Sequence, residues 1–125
     1  MERKAVGIIL LSPDEQVAIG KKRSDSSSVL AGKWHLPGEK IEEGENIYKA
    51  AVRGVAKELG LVLNSYLFLL NGEVSWCWCG VADDKLMVPG GDLEEAKWVN
   101  KIDVATSIDT LAWEMLPEKI KKYFG

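Results

Sequence analysis

The 125-residue chain lacks several things, and each lack removes a class of explanation. It has no apolar run near the roughly 20 residues that a membrane-spanning helix needs. The apolar stretch Ala5–Leu11 ends in Ser-Pro-Asp-Glu, which reads as a turn and not as a signal-peptide cleavage site. Only two cysteines are present, Cys77 and Cys79, so no disulfide framework is expected. Two thiols cannot complete a zinc site by themselves, and the single histidine, His35, lies far off in sequence. Both thiols are therefore expected to be ordinary core or surface groups. Charge is nearly balanced: 16 basic against 19 acidic residues leave a formal net charge of -3. That gives no general electrostatic reason to bind nucleic acid or an anionic membrane. Repeats, low-complexity tracts and linkers are also missing. The expectation is one soluble, cytoplasmic domain over residues 1–125, with no membrane and no nucleic-acid partner.

What is present is a mixture of strand and helix signals. "KAVGIILLS" and "QVAIGKKR" flank Pro13-Asp14 and read as a hairpin. "KWHLPG" reads as a short strand closed by Pro37-Gly38. Residues 46–59 carry a helical period, with Ile47, Ala51, Val55 and Leu59 on one apolar stripe widened by Ala50. Gly60 is placed to stop that helix. "LVLNSYLFLL" and "EVSWCWCGV" flank Asn71-Gly72, a strong hairpin signal. In the second of these strands Trp76 and Trp78 share one face and Cys77 and Cys79 the other. "EEAKWV" reads as a further strand, and Pro117 can open a last helix, "PEKIKKYF". The expected fold class is α/β: a mixed sheet with helices packed on it.

The stretch "LPGEKIEEGE" followed by "RGVAKELGL" resembles the signature box of the Nudix hydrolase family. That box is Gly, five residues, Glu, seven residues, Arg-Glu, apolar, any, Glu-Glu, any, Gly, apolar. Laid on this chain it runs from 39 to 61, and six of nine defined positions match: Glu45, Arg53, Val55, Glu58, Gly60 and Leu61. The lead-in "GKWHLPG" and the later "EEAKWV" also resemble the family. The resemblance implies a Nudix-like α/β/α sandwich. It also implies hydrolysis of a nucleoside diphosphate linked to another group, with Mg²⁺ or Mn²⁺ held by the helix glutamates. Three positions depart from the pattern. Glu39 stands in place of the box glycine, and Gly54 and Lys57 stand in place of box glutamates.

The spacing has a physical reason. Positions 54, 57 and 58 crowd one helix face. Three carboxylates there repel one another unless a hard divalent cation binds between them and keeps sites open for phosphate. This chain retains one of the three. Gly54 removes a ligand and weakens the helix by about 1 kcal/mol relative to alanine. Lys57 puts a cation beside Glu58, and two like charges at about 4 Å cost roughly 4 kcal/mol at an effective dielectric of 20, doubled for a divalent ion. Weak divalent binding and slow or atypical turnover are expected. Gly54→Glu combined with Lys57→Glu is expected to rebuild the three-carboxylate face.

The resemblance assigns roles residue by residue. Arg53 pairs with Glu45 to brace the loop, and with Glu58 these make the catalytic set. Glu58 is the surviving metal ligand, or else a lone surface glutamate. Glu94 and Glu95 match the region where family members carry a further ligand or base. Lys22 and Arg23, with Lys21, end the second strand where a basic residue can touch phosphate or base. Trp34 and His35, with Trp76 and Trp78, can stack a base or pack in the core. Lys57 is either simply exposed or sits in the metal's place and meets phosphate directly. Glu42, Glu43 and Glu45 read as a solvated loop before a helix N-terminus. Three functions compete: a slow Nudix-type hydrolase, a Nudix-fold nucleotide- or protein-binding module without turnover, and a structural subunit with no ligand. The partner in the first case is a small-molecule nucleotide, and a homodimer is among the possible assemblies.

Overall fold

A computed structural model describes residues 5–81 and 86–125. Seven strands form one mixed sheet: β1 (Ala5–Leu11), β2 (Gln16–Lys22), β3 (Trp34–His35), β4 (Gly38–Lys40), β5 (Leu63–Leu70), β6 (Val74–Val81) and β7 (Leu93–Asn100). The path runs β3-β2-β1-β6-β5, with β4 added to β1 and β7 to β2. β1 and β6 are parallel, from Ala5 opposite Val74 to Leu11 opposite Gly80, and the other pairs are antiparallel. β1 touches β2 only around Leu11 and Val17, and its other end pairs with β4 instead. The sheet therefore forks, and the fork opens between β1, β3 and β4.

Both faces of the central strands are covered, which explains why "VGIILL" is apolar without alternation. Val6, Ile8 and Leu10 face helix α1 (Ile47–Leu59) together with Cys77 and Cys79. Ile9, Val17, Ile19 and Trp76 face the C-terminal helices. The tryptophan face of β6 thus meets those helices and the cysteine face meets α1. The thiols are free and buried, 3.7 Å apart.

Helix α1 forms where its period lies. Ile47, Ala50, Ala51, Val55 and Leu59 are buried against the sheet. The Asn46 side chain caps the start by accepting from Lys49 N at 2.8 Å. Gly60 ends it in the left-handed region at φ 68°, donating to Ala56 O. Residues 101–114 carried no expected element, yet they fold as a 3-10 turn (Lys101–Asp103) and two short helices, α2 (Val104–Ser107) and α3 (Thr110–Glu114). Asp109 caps α3 through Leu111 N. Helix α4 (Glu118–Phe124) follows Pro117 as expected and buries Ile120 and Phe124. Among the described residues no helix is long and apolar enough to cross a membrane.

Candidate functional site: a carboxylate cluster on the wall of a cavity

The outer part of α1 and the loop before it are tied together by Arg53. Its Nε and Nη2 each donate to a Glu45 carboxylate oxygen at 2.8 Å, and Nη2 also donates to Lys40 O at 2.7 Å. Glu45 in turn accepts from Glu42 N at 2.9 Å. The guanidinium holds the Glu45 carboxyl down to about 2, well below the usual carboxylate range. This fork-on-fork pair fixes the loop 40–46 against the helix.

One turn further along, the helix presents Gly54, Lys57 and Glu58. A Cβ on Gly54 would lie 2.7 Å from Glu39 Cβ and 3.0 Å from its Cγ. The stem of Glu39 thus lies on the bare backbone of Gly54, and its side chain is only 9% exposed. Glu39 Oε1 accepts from Lys40 N at 2.9 Å. Its buried Oε2 is ion-paired, with Lys57 Nζ 3.2 Å away and Arg53 Nη1 3.4 Å away. The departures at 39 and 54 are linked by packing: the stem of Glu39, on β4, fills the space that a side chain at 54 would need. Glu58 is buried at 7% exposure and accepts from Asp92 N at 3.0 Å. Burial pushes its carboxyl above the usual range, against the pull of the Asp92 N–H. Lys57 is half exposed, and its ammonium is stabilised chiefly by Glu39.

Beside this cluster is a cavity of about 590 Å³, reaching from Glu39 and Glu58 across the sheet fork to α3. Lys57, Asp92, Lys22 and His35 line it as well, and so does Trp76, whose ring lies over Gly7 with no room for a Cβ there. His35 Nδ1 meets Leu36 O at 2.7 Å. A carbonyl can only accept, so Nδ1 carries the proton. Burial lowers the imidazole pKa and keeps the ring neutral, leaving Nε2 as an acceptor without a partner among the described residues. Trp76 Nε1 is a buried donor without a partner among the described residues.

The cavity gathers Glu58, Lys57, His35 and Lys22. Arg53 and Glu45 stand behind its wall as the brace. Other residues of the expected set lie elsewhere. Arg23 forks onto Asp25 at 3.0 Å. The Trp34 ring lies under Lys97 Nζ at 4.6 Å. Glu94 accepts from Ser24 N at 2.7 Å and pairs with Lys21, as Glu95 does at 3.3 Å. Neither Glu94 nor Glu95 lines the cavity. Sequence reasoning did not pick Glu39 or Asp92. Asp92 had no signal. Glu39 did, because a glutamate in place of glycine and a glycine in place of glutamate within one box form a reciprocal pair.

A helix laid over a forked mixed sheet, with its charged end on a cavity and braced by an Arg–Glu fork, makes an α/β/α domain. The NUDIX domain family model matches residues 1–119, and the chain belongs to that family. It is similar to the RNA pyrophosphohydrolases of Sphingopyxis alaskensis and Novosphingobium aromaticivorans, at 34% and 30% identity over 59 residues. Those matches cover 47% of this chain and 35% of each relative, about a third of their length. The fold is similar to a MutT structure from work on Aliivibrio salmonicida and Vibrio cholerae, with TM-score 0.70, 22% identity and coverage of 98% and 97%. It is also similar to a C. elegans Ap4A hydrolase, with TM-score 0.67, 14% identity and coverage of 97% and 92%.

Nudix hydrolases generally use divalent metals such as Mg²⁺. Among the described residues no group of three or more His, Cys, Asp or Glu side chains is placed to hold a metal ion. A narrower fit remains. Mg²⁺ is commonly bound by one or two carboxylates plus substrate phosphates. Glu58 and Glu39 supply hard oxygens on one wall, though Glu39 Oε2 is already ion-paired with Lys57 and Arg53.

Proposed function

We propose that this chain is a slow, atypical Nudix-type hydrolase of a nucleoside diphosphate linked to a second group. The carrying observation is that two carboxylates, Glu58 and Glu39, border a 590 Å³ cavity while the Lys57 ammonium lies on one of them. Such a cavity suits a nucleotide-sized ligand. Glu58 and Glu39 would hold a divalent ion, which when bound neutralises diphosphate charge. Glu58 accepts the proton of the attacking water as a phosphorus–oxygen bond forms and the bridging bond breaks. Neutral His35 and Trp76 offer one acceptor and one donor to the bound group. Lys57 slows turnover by holding Glu39. The reaction is expected to need high metal.

A second reading is a nucleotide-binding module without turnover, favoured by the same Lys57–Glu39 pair. One assay series separates the two. Turnover is measured on ADP-ribose, other nucleoside diphosphate derivatives, nucleoside triphosphates and 5′-pyrophosphorylated RNA, with Mg²⁺ or Mn²⁺, beside calorimetric affinities for the same compounds. Slow turnover abolished by Glu58→Gln supports hydrolysis. Tight binding with no turnover on any compound overturns it in favour of the module.

A further inference from the structure

Two buried side-chain atoms on the cavity have no hydrogen-bond partner among the described residues: His35 Nε2, on a residue 9% exposed, and Trp76 Nε1, on a residue 7% exposed. An unpaired buried polar group destabilises a fold, and a bound ligand is one reason to keep it. The hydrogen-bonding sense of each atom is fixed. His35 Nδ1 donates to Leu36 O at 2.7 Å, so Nε2 can only accept. Burial chiefly, and the nearby Lys22 charge as well, keep the ring neutral. The indole Nε1 can only donate. The ammonium of Lys22, a third residue lining the cavity, can also only donate. Their order across the fork follows from the pairing. The chain crosses from β2 to β1 between His35, opposite Gly20, and Gly38, opposite Gly7. Trp76 stands opposite Gly7 on the other side of β1. His35 therefore lies between Lys22 on β2 and Trp76 on β6, and the order is donor, acceptor, donor.

We propose that this part of the cavity reads the imide edge of a uracil-type pyrimidine, with Lys22 and Trp76 donating to its two carbonyl oxygens and His35 accepting from the N–H between them. The other common bases lack that edge. Cytosine has an acceptor at the ring nitrogen where His35 needs a donor. Adenine has no carbonyl. Guanine presents one carbonyl and then two donors, so one flanking donor of the protein would face an N–H. Leu36, Ala112 and Leu116 are buried and apolar, and they give the ring faces apolar walls. A site that hydrogen-bonds its ligand in this way rejects analogues that leave its buried groups unpaired. The inference rests on the hydrolase reading only in sharing its cavity. It names the nucleoside and leaves the second group open.

The test uses the full chain and nucleoside monophosphates, with chelator present and no metal. Calorimetry measures UMP, CMP, AMP and GMP. UMP should bind about tenfold more tightly than each of the others. Wild-type protein should bind N3-methyl-UMP about tenfold more weakly than UMP, because the methyl group removes the donor that His35 accepts. That arm needs no variant, so it stands even if a substitution unfolds the chain. Among variants that melting curves show to be folded, His35→Phe should erase the preference for UMP over CMP. Trp76→Phe, which keeps a ring and loses the N–H, and Lys22→Met should each narrow it. FMN carries the same imide edge on a three-ring system and should bind more weakly than UMP. Tighter binding of FMN overturns the pyrimidine assignment. UMP binding no tighter than CMP overturns the proposal, and so does equal binding of UMP and N3-methyl-UMP. Turnover of nucleoside diphosphate derivatives with no preference for UMP would sink the imide pocket and leave the hydrolase reading standing. A UMP preference that N3-methylation abolishes, with no turnover of any uridine diphosphate derivative, would do the reverse.

Discussion

Two parts of helix α1 face the same loop and have been treated differently. At Arg53 the guanidinium forks onto Glu45 at 2.8 Å, the pairing that the resemblance implies. At 54, 57 and 58 the implied arrangement has been rebuilt: a glycine, a lysine and one buried glutamate, with Glu39 lying across them. The brace positions the loop against the helix whether or not any ligand is held. The rebuilt face concerns ligands. The contrast says that the fold's requirements and the site's requirements can part company within one turn of helix.

The largest way to break the contrast is Gly54→Glu. It was expected, together with Lys57→Glu, to rebuild a three-carboxylate face. The structure shows the space already taken, because the first carbon of any side chain at 54 would meet Glu39 Cβ at 2.7 Å. Overpacking of this kind costs about 1–3 kcal/mol, and a second carboxylate beside Glu39 adds repulsion. The gain in helix propensity over glycine, about 0.5–1 kcal/mol, offsets only part of this. Gly54→Glu should therefore lower Tm, while the exchange Gly54→Glu with Glu39→Gly should recover most of the loss. A double-mutant cycle by thermal melting measures the coupling. Additive effects would mean that Glu39 and Gly54 are independent departures.

The helix stripe at 47, 51, 55 and 59 and the hairpin at Asn71-Gly72 were legible because each depends on residues near in sequence. The link between 39 and 54 was half legible: both departures were visible, but only the packing shows one side chain filling the other's space. The fork of the sheet was not legible. It depends on β1 leaving β2 for β4 and on β7 returning to β2, and pairings across such distances leave no periodic trace. Helices of four and five residues at 104–107 and 110–114 are too short for a helical period to declare itself. Glu58, by contrast, could be read as a ligand or as a surface residue, and its 7% exposure decides against the second.

The brace should break by a smaller amount, and in a pH-dependent way. Arg53→Ala removes two hydrogen bonds to Glu45 and one to Lys40 O. The Glu45 carboxyl is held near 2 in the folded state, below its unfolded value. Its stabilisation is therefore present above the ordinary carboxylate range and is lost as pH falls toward 2. Melting curves should show Arg53→Ala below wild type at neutral pH, with the gap closing in acid. A gap independent of pH would mean that the Lys40 carbonyl contact, and not the carboxylate, carries the brace.

The smallest effect sharpens the contrast by its absence. Glu94 and Glu95 are the carboxylates that the resemblance offers as completing ligands, yet they point their oxygens at Ser24 and Lys21 and do not line the cavity. Their partners are exposed groups on β2 and the loop after it, so these pairs are worth little to stability. Wild-type Mg²⁺ affinity is expected to be no better than millimolar, a binding free energy of about 4 kcal/mol. Glu94→Gln and Glu95→Gln should leave both that affinity and Tm within error of wild type, whereas Glu58→Gln should abolish the binding. Calorimetry on the three variants checks this directly. Were Glu94→Gln or Glu95→Gln to weaken Mg²⁺ as much as Glu58→Gln does, β7 would have to swing its carboxylates away from Lys21 and toward the cavity when an ion binds. The rebuilt face of α1 would then be only one half of a site that closes around its ligand.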